Sequence, residues 1–158
     1  MANHQYWSVF YANSKVLIPT QVETTAGVGS LEDPMEVVNV DHTDDLKRVI
    51  LTAIAKGNPI VPHPSQEEMS KPIDIHKKLG FKSYKAFNRN AQSLDIHYFD
   101  NIYNIFFNVV PKNGRGYNRD ISKTITFPSG TPIETVVDKL IEIIQETHRQ
   151  KMIEGNKE

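Results

Sequence analysis

"SLDIHYFDNIYNIFFNVVP" occupies residues 93–111. Apolar and polar side chains alternate through Ser93–Phe99, the two-residue period of a strand with one buried face. Asp100 and Asn101 suit a tight turn. The β-branched and aromatic run that follows, closed by Pro111, predicts the paired strand. A hairpin of this kind belongs to an antiparallel sheet, and the flanking sequence is read around it.

Upstream, "YWSVFY" (6–11) reads as a strand, "ANS" (12–14) as a turn and "KVLIP" (15–19) as a second strand ended by Pro19. From Gln21 to Pro34 the chain reads as loop, with Gly27, Gly29 and Pro34; "GVGS" (27–30) lacks the rest of a phosphate-binding loop. "MEVVNV" (35–40) is a short strand. A helix should follow, with Asp41 or Thr43 as N-cap and Asp44 and Asp45 in the first turn, where the dipole favours anions. Leu46, Val49, Ile50, Ala53 and Ile54 recur at helical spacing until Gly57 and Pro59 stop it. Ser65 and Glu68 have capping-box spacing, which predicts one helical turn in "SQEEMS" (65–70).

Downstream of the hairpin, "KNGRGYNRD" (112–120) reads as a loop and "KTITF" (123–127) as a strand. Thr131, Pro132 and Glu134 mark a helix start, and Ile133, Val136, Val137, Leu140, Ile141 and Ile144 form its apolar stripe. Residues 151–158 are polar and are expected to fray. A shift of 87 residues lays Val38 on Ile125, Val40 on Phe127 and Leu46 on Ile133, with the later stripe positions following in phase. Two ordinary strand-then-helix units and an old duplication both account for this echo. Either way two helices must cover a sheet. The expected fold is α+β: a single domain over residues 1–150, with a mostly antiparallel sheet packed by two main helices and short helical turns.

At 158 residues, 39% hydrophobic and 23% charged, the chain has the composition of one soluble globular domain. With no cysteine, disulfides, thiol catalysis and thiolate metal sites are excluded. The start resembles no signal peptide and no run approaches a membrane span, so a cytoplasmic protein is expected. No Walker loop, H-E-x-x-H or G-x-S-x-G is present, and neither an enzyme nor a cofactor is expected.

Asp95 and His97 share a strand face, with Asp100 nearby. They could hold a metal or form an acid–base pair, but a solvated strand face accounts for them more simply. Asp41, His42, Asp44 and Asp45 cluster where helix capping explains them without a metal. His63 stands between two prolines with no neighbour that would make it a base. Arg115, between Gly114 and Gly116, could bind phosphate through backbone amides, against the plainer reading of a wide hairpin loop. In "HKKLGFKSYKAFNRN" (76–90), lysines are interleaved with Phe81, Tyr84 and Phe87, as in a nucleic-acid groove. Aromatics three apart also fit the inner side of a short helix, with Lys82, Lys85 and Arg89 outside, and rings in a core cannot stack bases.

Charge is segregated. Residues 21–46 carry seven acids (Glu23, Glu32, Asp33, Glu36, Asp41, Asp44, Asp45) and no Lys or Arg, whereas residues 71–89 carry six basic residues against Asp74. Signed patches on a chain of net charge −1 suit a macromolecular partner of opposite sign.

The order of these blocks is similar to the immunity proteins of contact-dependent growth inhibition, the CdiI family. Leu79, Gly80, Ser83, Tyr84 and Phe87 match its Leu-Gly-x-x-Ser-aromatic-x-x-Phe block, and Gly114, Gly116 and Tyr117 its Gly-x-Gly-aromatic block. These motifs are structural. The resemblance implies a small bacterial protein, with no enzymatic activity, that binds and neutralises the C-terminal toxin domain of a CdiA effector. It further implies a nuclease as toxin, a monomer pairing one-to-one with it, and a toxin hairpin that can add to the sheet as extra strands. No binding residue transfers by motif. From charge alone, Glu23, Glu32, Asp33, Asp41, Asp44 and Asp45 are the expected toxin-binding residues, with no direct contact to nucleic acid or membrane. A nucleic-acid-binding domain and a small-molecule-binding or enzymatic domain are the competing readings.

Overall fold

The computed structural model describes residues 4–69, 74–110 and 118–155. The alternation at 93–99 becomes β5 (Gln92–Phe99), paired with β6 (Ile102–Val109) through a turn in which Asp100 and Asn101 have φ of 51° and 64°. β1 (Gln5–Ala12) and β2 (Lys15–Thr24) form a second hairpin through Asn13 and Ser14, with φ of 53° and 65°. Short polar residues tolerate this left-handed backbone and match the twist of a two-residue hairpin. β3 (Gly29–Asn39) pairs with β2, and β7 (Asn118–Arg119) and β8 (Ile125–Thr126) pair with β6. β4 (Ile60–Val61) adds parallel to the end of β2. The order β3-β2-β1-β5-β6-β7 makes a largely antiparallel sheet with β1 and β5 at its centre.

One face carries Trp7, Val9, Tyr11, Leu94, Ile96 and Ile105. It is covered by α1 (Thr43–Ala55), through Leu46, Val49 and Ile50, and by α5 (Ile133–Gly155), through Val136 to Ile144. The other face is covered only in part. Phe10, Ala12 and Leu17 pack beneath Ile75 of α3 (Ile75–Lys78), Leu79, and Phe87 of α4 (Tyr84–Asn90). α2 (Gln66–Met69) is the helical turn expected after Ser65, whose hydroxyl accepts from the Glu68 amide and reaches its carboxylate. The fold is the α+β single domain that the alternation and the two helical stripes imply.

Several local readings are corrected. Residues 21–34 are mostly strand: β2 runs on to Thr24 and β3 starts at Gly29. Pro19 does not end β2 because it falls at a register shift between Ile18 and Thr20, and Pro34 is tolerated because β3 is an edge strand. Neither Asp41 nor Thr43 caps α1. His42 holds that position without a side-chain bond, while the Thr43 hydroxyl accepts from Gln145 of α5 at 2.8 Å. Within 123–127 only Ile125–Thr126 is strand; a 3-10 turn (Ile121–Lys123), capped by Asp120, precedes it. α5 continues through residues 151–155. Of the three aromatics in the 76–90 stretch, Phe87 is buried, Phe81 is half-buried and Tyr84 is 49% exposed.

The 87-residue echo has a structural counterpart. At that offset β1 lies on β5, β2 on β6, and the Asn13-Ser14 turn on the Asp100-Asn101 turn, with the same left-handed backbone. β1 and β5 pair antiparallel in a register that the exchange of halves leaves unchanged: Gln5↔Tyr98 becomes Tyr11↔Gln92, and Ser8↔Asp95 maps onto itself. The two halves are thus related by a pseudo-two-fold axis passing beside Ser8 and Asp95. The symmetry breaks at the outer strand, where continuous β3 corresponds to the interrupted β7, 3-10 turn and β8 at the other end of the sheet.

Phe87 is 1% exposed and contacts the rings of Phe10, Phe81 and Tyr84. Phe87→Ala should lower unfolding free energy by about 3–5 kcal/mol, against about 1 kcal/mol or less for Tyr84→Ala, measured by urea denaturation.

Candidate functional site

The uncovered part of the second face is a groove of about 670 Å³. Its floor is Ser8 of β1 with Ser93 and Asp95 of β5. One wall is the far end of the β2–β3 hairpin, with Gln21, Gly29 and Ser30; the other is Tyr84 and Phe87 of α4. Asn108 and Arg119 close the β6–β7 side. The wall exists because β1 and β2 part after Phe10 and Leu17, and the loop after α1 fills the gap. Gly57, at φ 67°, ends that helix, and its carbonyl accepts from the Trp7 indole. The Asn58 carboxamide accepts from the Tyr6 amide at 3.0 Å and donates to the Tyr6 carbonyl at 2.8 Å, and Pro59 accepts from Glu23. Backbone groups that would otherwise lack a strand are thereby satisfied.

At the groove's centre the Ser8 hydroxyl donates to Asp95 Oδ1 at 2.7 Å. Burial pushes the Asp95 carboxyl above its ordinary range, an effect that hydrogen bonds from Ser8 and Asn108 and the charge of Arg119 partly offset. No cation lies within ion-pair distance of Asp95 among the described residues. Tyr6 is raised by burial, then by Glu23 and Asp95. Its hydroxyl lies so close to Gly29 that a Cβ there would sit 1.8 Å away, so glycine is what lets the hairpin wall approach β1.

Beside the groove, His97 bonds His4 through Nδ1 and Arg119 through Nε2, both at 2.9 Å. A guanidinium cannot accept, so Nε2 must, and the neutral ring carries its proton on Nδ1. Burial, with Arg119 and His4 adding to it, lowers the His97 pKa to about 4. The Arg119 guanidinium also lies 4.1 Å from the centre of the Phe106 ring. Asp95 and His97 therefore do share a face, as the alternation implies, but it is largely buried and hydrogen-bonded where a solvated face was expected. The two residues serve different partners.

The six acidic residues chosen from charge are not one cluster. Glu23 sits near the far end of the hairpin, opposite Gly29, and Glu32 lies opposite Thr20. Asp33 lies 3.7 Å from Lys78. Asp41, Asp44 and Asp45 are exposed at the start of α1, where Asp45 meets Arg48 at 3.6 Å. Glu32 and Asp33 lie on the β3 edge of the sheet and Asp41, Asp44 and Asp45 at the start of α1, whereas Glu23 is on β2, between β3 and β4. Lys82, Lys85 and Arg89 are exposed. His63 contacts the Thr24 hydroxyl at 3.0 Å. Arg115, with Gly114, Gly116 and Tyr117, lies outside the described residues. Ser8, Gln21, Asn108 and Arg119 escaped the sequence reading; the signal available was Ser93, Asp95 and His97 at alternate positions of β5, which marks the face but not these partners.

The fold and groove define a class: an α+β domain with a central antiparallel sheet, one face under two helices and the other half open. Protein NMB0488 from Neisseria meningitidis, described as of unknown function, shares this fold at TM-score 0.62 and 15% identity, over 88% of this chain and 93% of that one. So does a chain of the CdiA-CT/CdiI toxin and immunity complex from Yersinia pseudotuberculosis, at TM-score 0.59 and 12% identity, over 86% and 92%. No family model and no curated protein matches the sequence. Among the described residues no helix is long and apolar enough to cross a membrane.

Between about pH 6.5 and 4 the unfolded chain binds a proton at His97 that the native state refuses, so this residue's contribution to stability is lost as pH falls. The raised Asp95 carboxyl acts in the opposite sense, its contribution falling as pH rises through its folded value. The difference between proteins isolates His97: from about pH 7 to about pH 4.5, Tm should drop further in the wild type than in His97→Gln. Nitrogen-15 NMR at neutral pH should show the Nδ1–H tautomer.

Proposed function

We propose that the chain is an immunity protein that binds the C-terminal toxin domain of a cognate CdiA effector and neutralises it in the cytoplasm of the producing cell. The likeness to a chain of a CdiA-CT/CdiI complex over most of both lengths carries this reading, joined by the block order in the sequence. The outer edge of β3, eleven residues long, lies at the end of the sheet order and bears Glu32, Asp33 and Glu36. An edge of this kind can take an added strand, backbone bonds giving affinity and side chains giving selectivity. Its charge suits the basic surface with which a nuclease toxin would hold nucleic acid.

Co-expression with the toxin domain encoded immediately upstream should rescue growth, and the two proteins should elute as a one-to-one complex; toxicity undiminished by this chain would refute the reading. Asp44→Lys combined with Asp45→Lys should slow association with the toxin roughly 10-fold or more at low salt and lose that effect at high salt. Circular dichroism should show the fold retained, since reversing charges in the first turn of α1 costs only about 0.3–1 kcal/mol per residue. Unchanged association kinetics would remove the acidic face from the mechanism.

A further inference from the structure

The groove contains one acceptor without a donor, Gln21 Oε1, and one carboxylate without an ion-pair partner among the described residues, Asp95. Asp95 is a largely buried carboxylate with no counter-ion among the described residues, held by the neutral donors Ser8 and Asn108. Across from it, Gln21 is only 5% exposed. Its Nε2 donates to the Ser30 carbonyl at 3.1 Å, while its Oε1 has no hydrogen-bond partner among the described residues. A buried acceptor without a donor is destabilising, and a buried charge without a partner more so. Gln21 and Asn108 occupy equivalent positions in the two halves, one on each flank of the axis that passes Ser8 and Asp95. The centre of the second face is thus polar in both halves, and at the axis one half supplies a hydroxyl where the other supplies a carboxyl.

Arg119, the cation at the rim, is engaged elsewhere, donating to His97 and lying over Phe106. What the groove lacks is a planar cation rich in N–H donors. A guanidinium has five donors fixed in one plane, which suits a carboxylate on the floor and an amide oxygen on the adjoining wall, whereas an ammonium presents a single point of charge. Tyr6 and Tyr84 line the same space, and guanidinium planes stack on such rings.

We propose that this groove receives an arginine side chain of the protein partner, with Asp95 and Gln21 as its acceptors. This rests on the immunity reading for the partner's identity, but not for the groove's chemistry. Two experiments separate the two. N-acetylargininamide, titrated into the full chain and followed by NMR, should shift the Gln21 side-chain amide and the Tyr6 and Asp95 backbone signals saturably. The citrulline analogue, of the same shape without charge, should bind at least about 10-fold more weakly, and Asp95→Asn should erase that difference. No saturable shift in the groove, or equal responses to the two compounds, would overturn the proposal.

In the second experiment Asp95→Asn and, separately, Gln21→Leu are tested against the cognate toxin domain. The expected loss is roughly 10- to 100-fold in affinity for Asp95→Asn and less for Gln21→Leu, with thermal melts confirming folding. Full affinity in both variants would overturn the groove proposal and leave the immunity reading standing. A toxin that the wild type does not bind would overturn the immunity reading, and the N-acetylargininamide titration would then decide the groove alone.

Discussion

The β1–β5 ladder joins the two halves of this protein. Seven residue pairs run from Gln5↔Tyr98 to Tyr11↔Gln92, and the central pair, Ser8↔Asp95, adds a side-chain bond of 2.7 Å. Each half is a hairpin, an outer strand and a helix. Neither could hide its apolar face alone, because one amphipathic helix over two or three strands leaves the inner strand's edge and much of its surface in water. Joined at β1 and β5, the halves share one core in which α1 and α5 lie together over the centre of the sheet.

The groove lies beside that joint, where β1 loses its other partner. β1 keeps β5 along one edge from Gln5 to Tyr11, but on its other edge it pairs with β2 only from Phe10 to Ala12. The two part, and an asparagine side chain takes the place of a strand. Freed from β1 and shifted in register near Pro19, the β2–β3 hairpin comes round beside the second face. Gly29, having no Cβ, lets it approach the Tyr6 ring. α3 and α4 cover only the strip of that face carrying Phe10, Ala12 and Leu17, and the polar remainder stays open.

Much of the fold was legible because it is carried by local pattern. The alternation at 93–99, the turn at Asp100-Asn101 and the stripes of α1 and α5 each need only a few residues to be recognised. The end of β2 from Gln21 and the start of β3 were not legible, because Gly27, Gly29 and Pro34 are loop signals when read locally. Gly27 does lie in the turn between the two strands, while an edge position and a register shift, both properties of the assembled sheet, reconcile Pro34 with strand. The site was less legible still. Ser8, Gln21, Asp95 and Asn108 come from four strands, and each alone resembles a polar residue on a wet face. Their burial follows from the curl of a hairpin that the sequence does not announce. The 87-residue echo was visible in apolar phase alone, and matched turns and a self-mapping ladder turned it into a symmetry.

The same ladder sets an order on synthesis. A hairpin closes locally and quickly, so β1 and β2 can meet as soon as both leave the ribosome. β1's partner on its other side is still unmade, and at roughly 5–20 residues per second several seconds pass before Phe99 is added. Through that interval the nascent chain displays Trp7, Val9 and Tyr11 on a strand whose β5 edge is free throughout, a template for a neighbouring nascent copy. The strand destined for the centre of the sheet is thus the first to be made, and it stays exposed until the second half arrives.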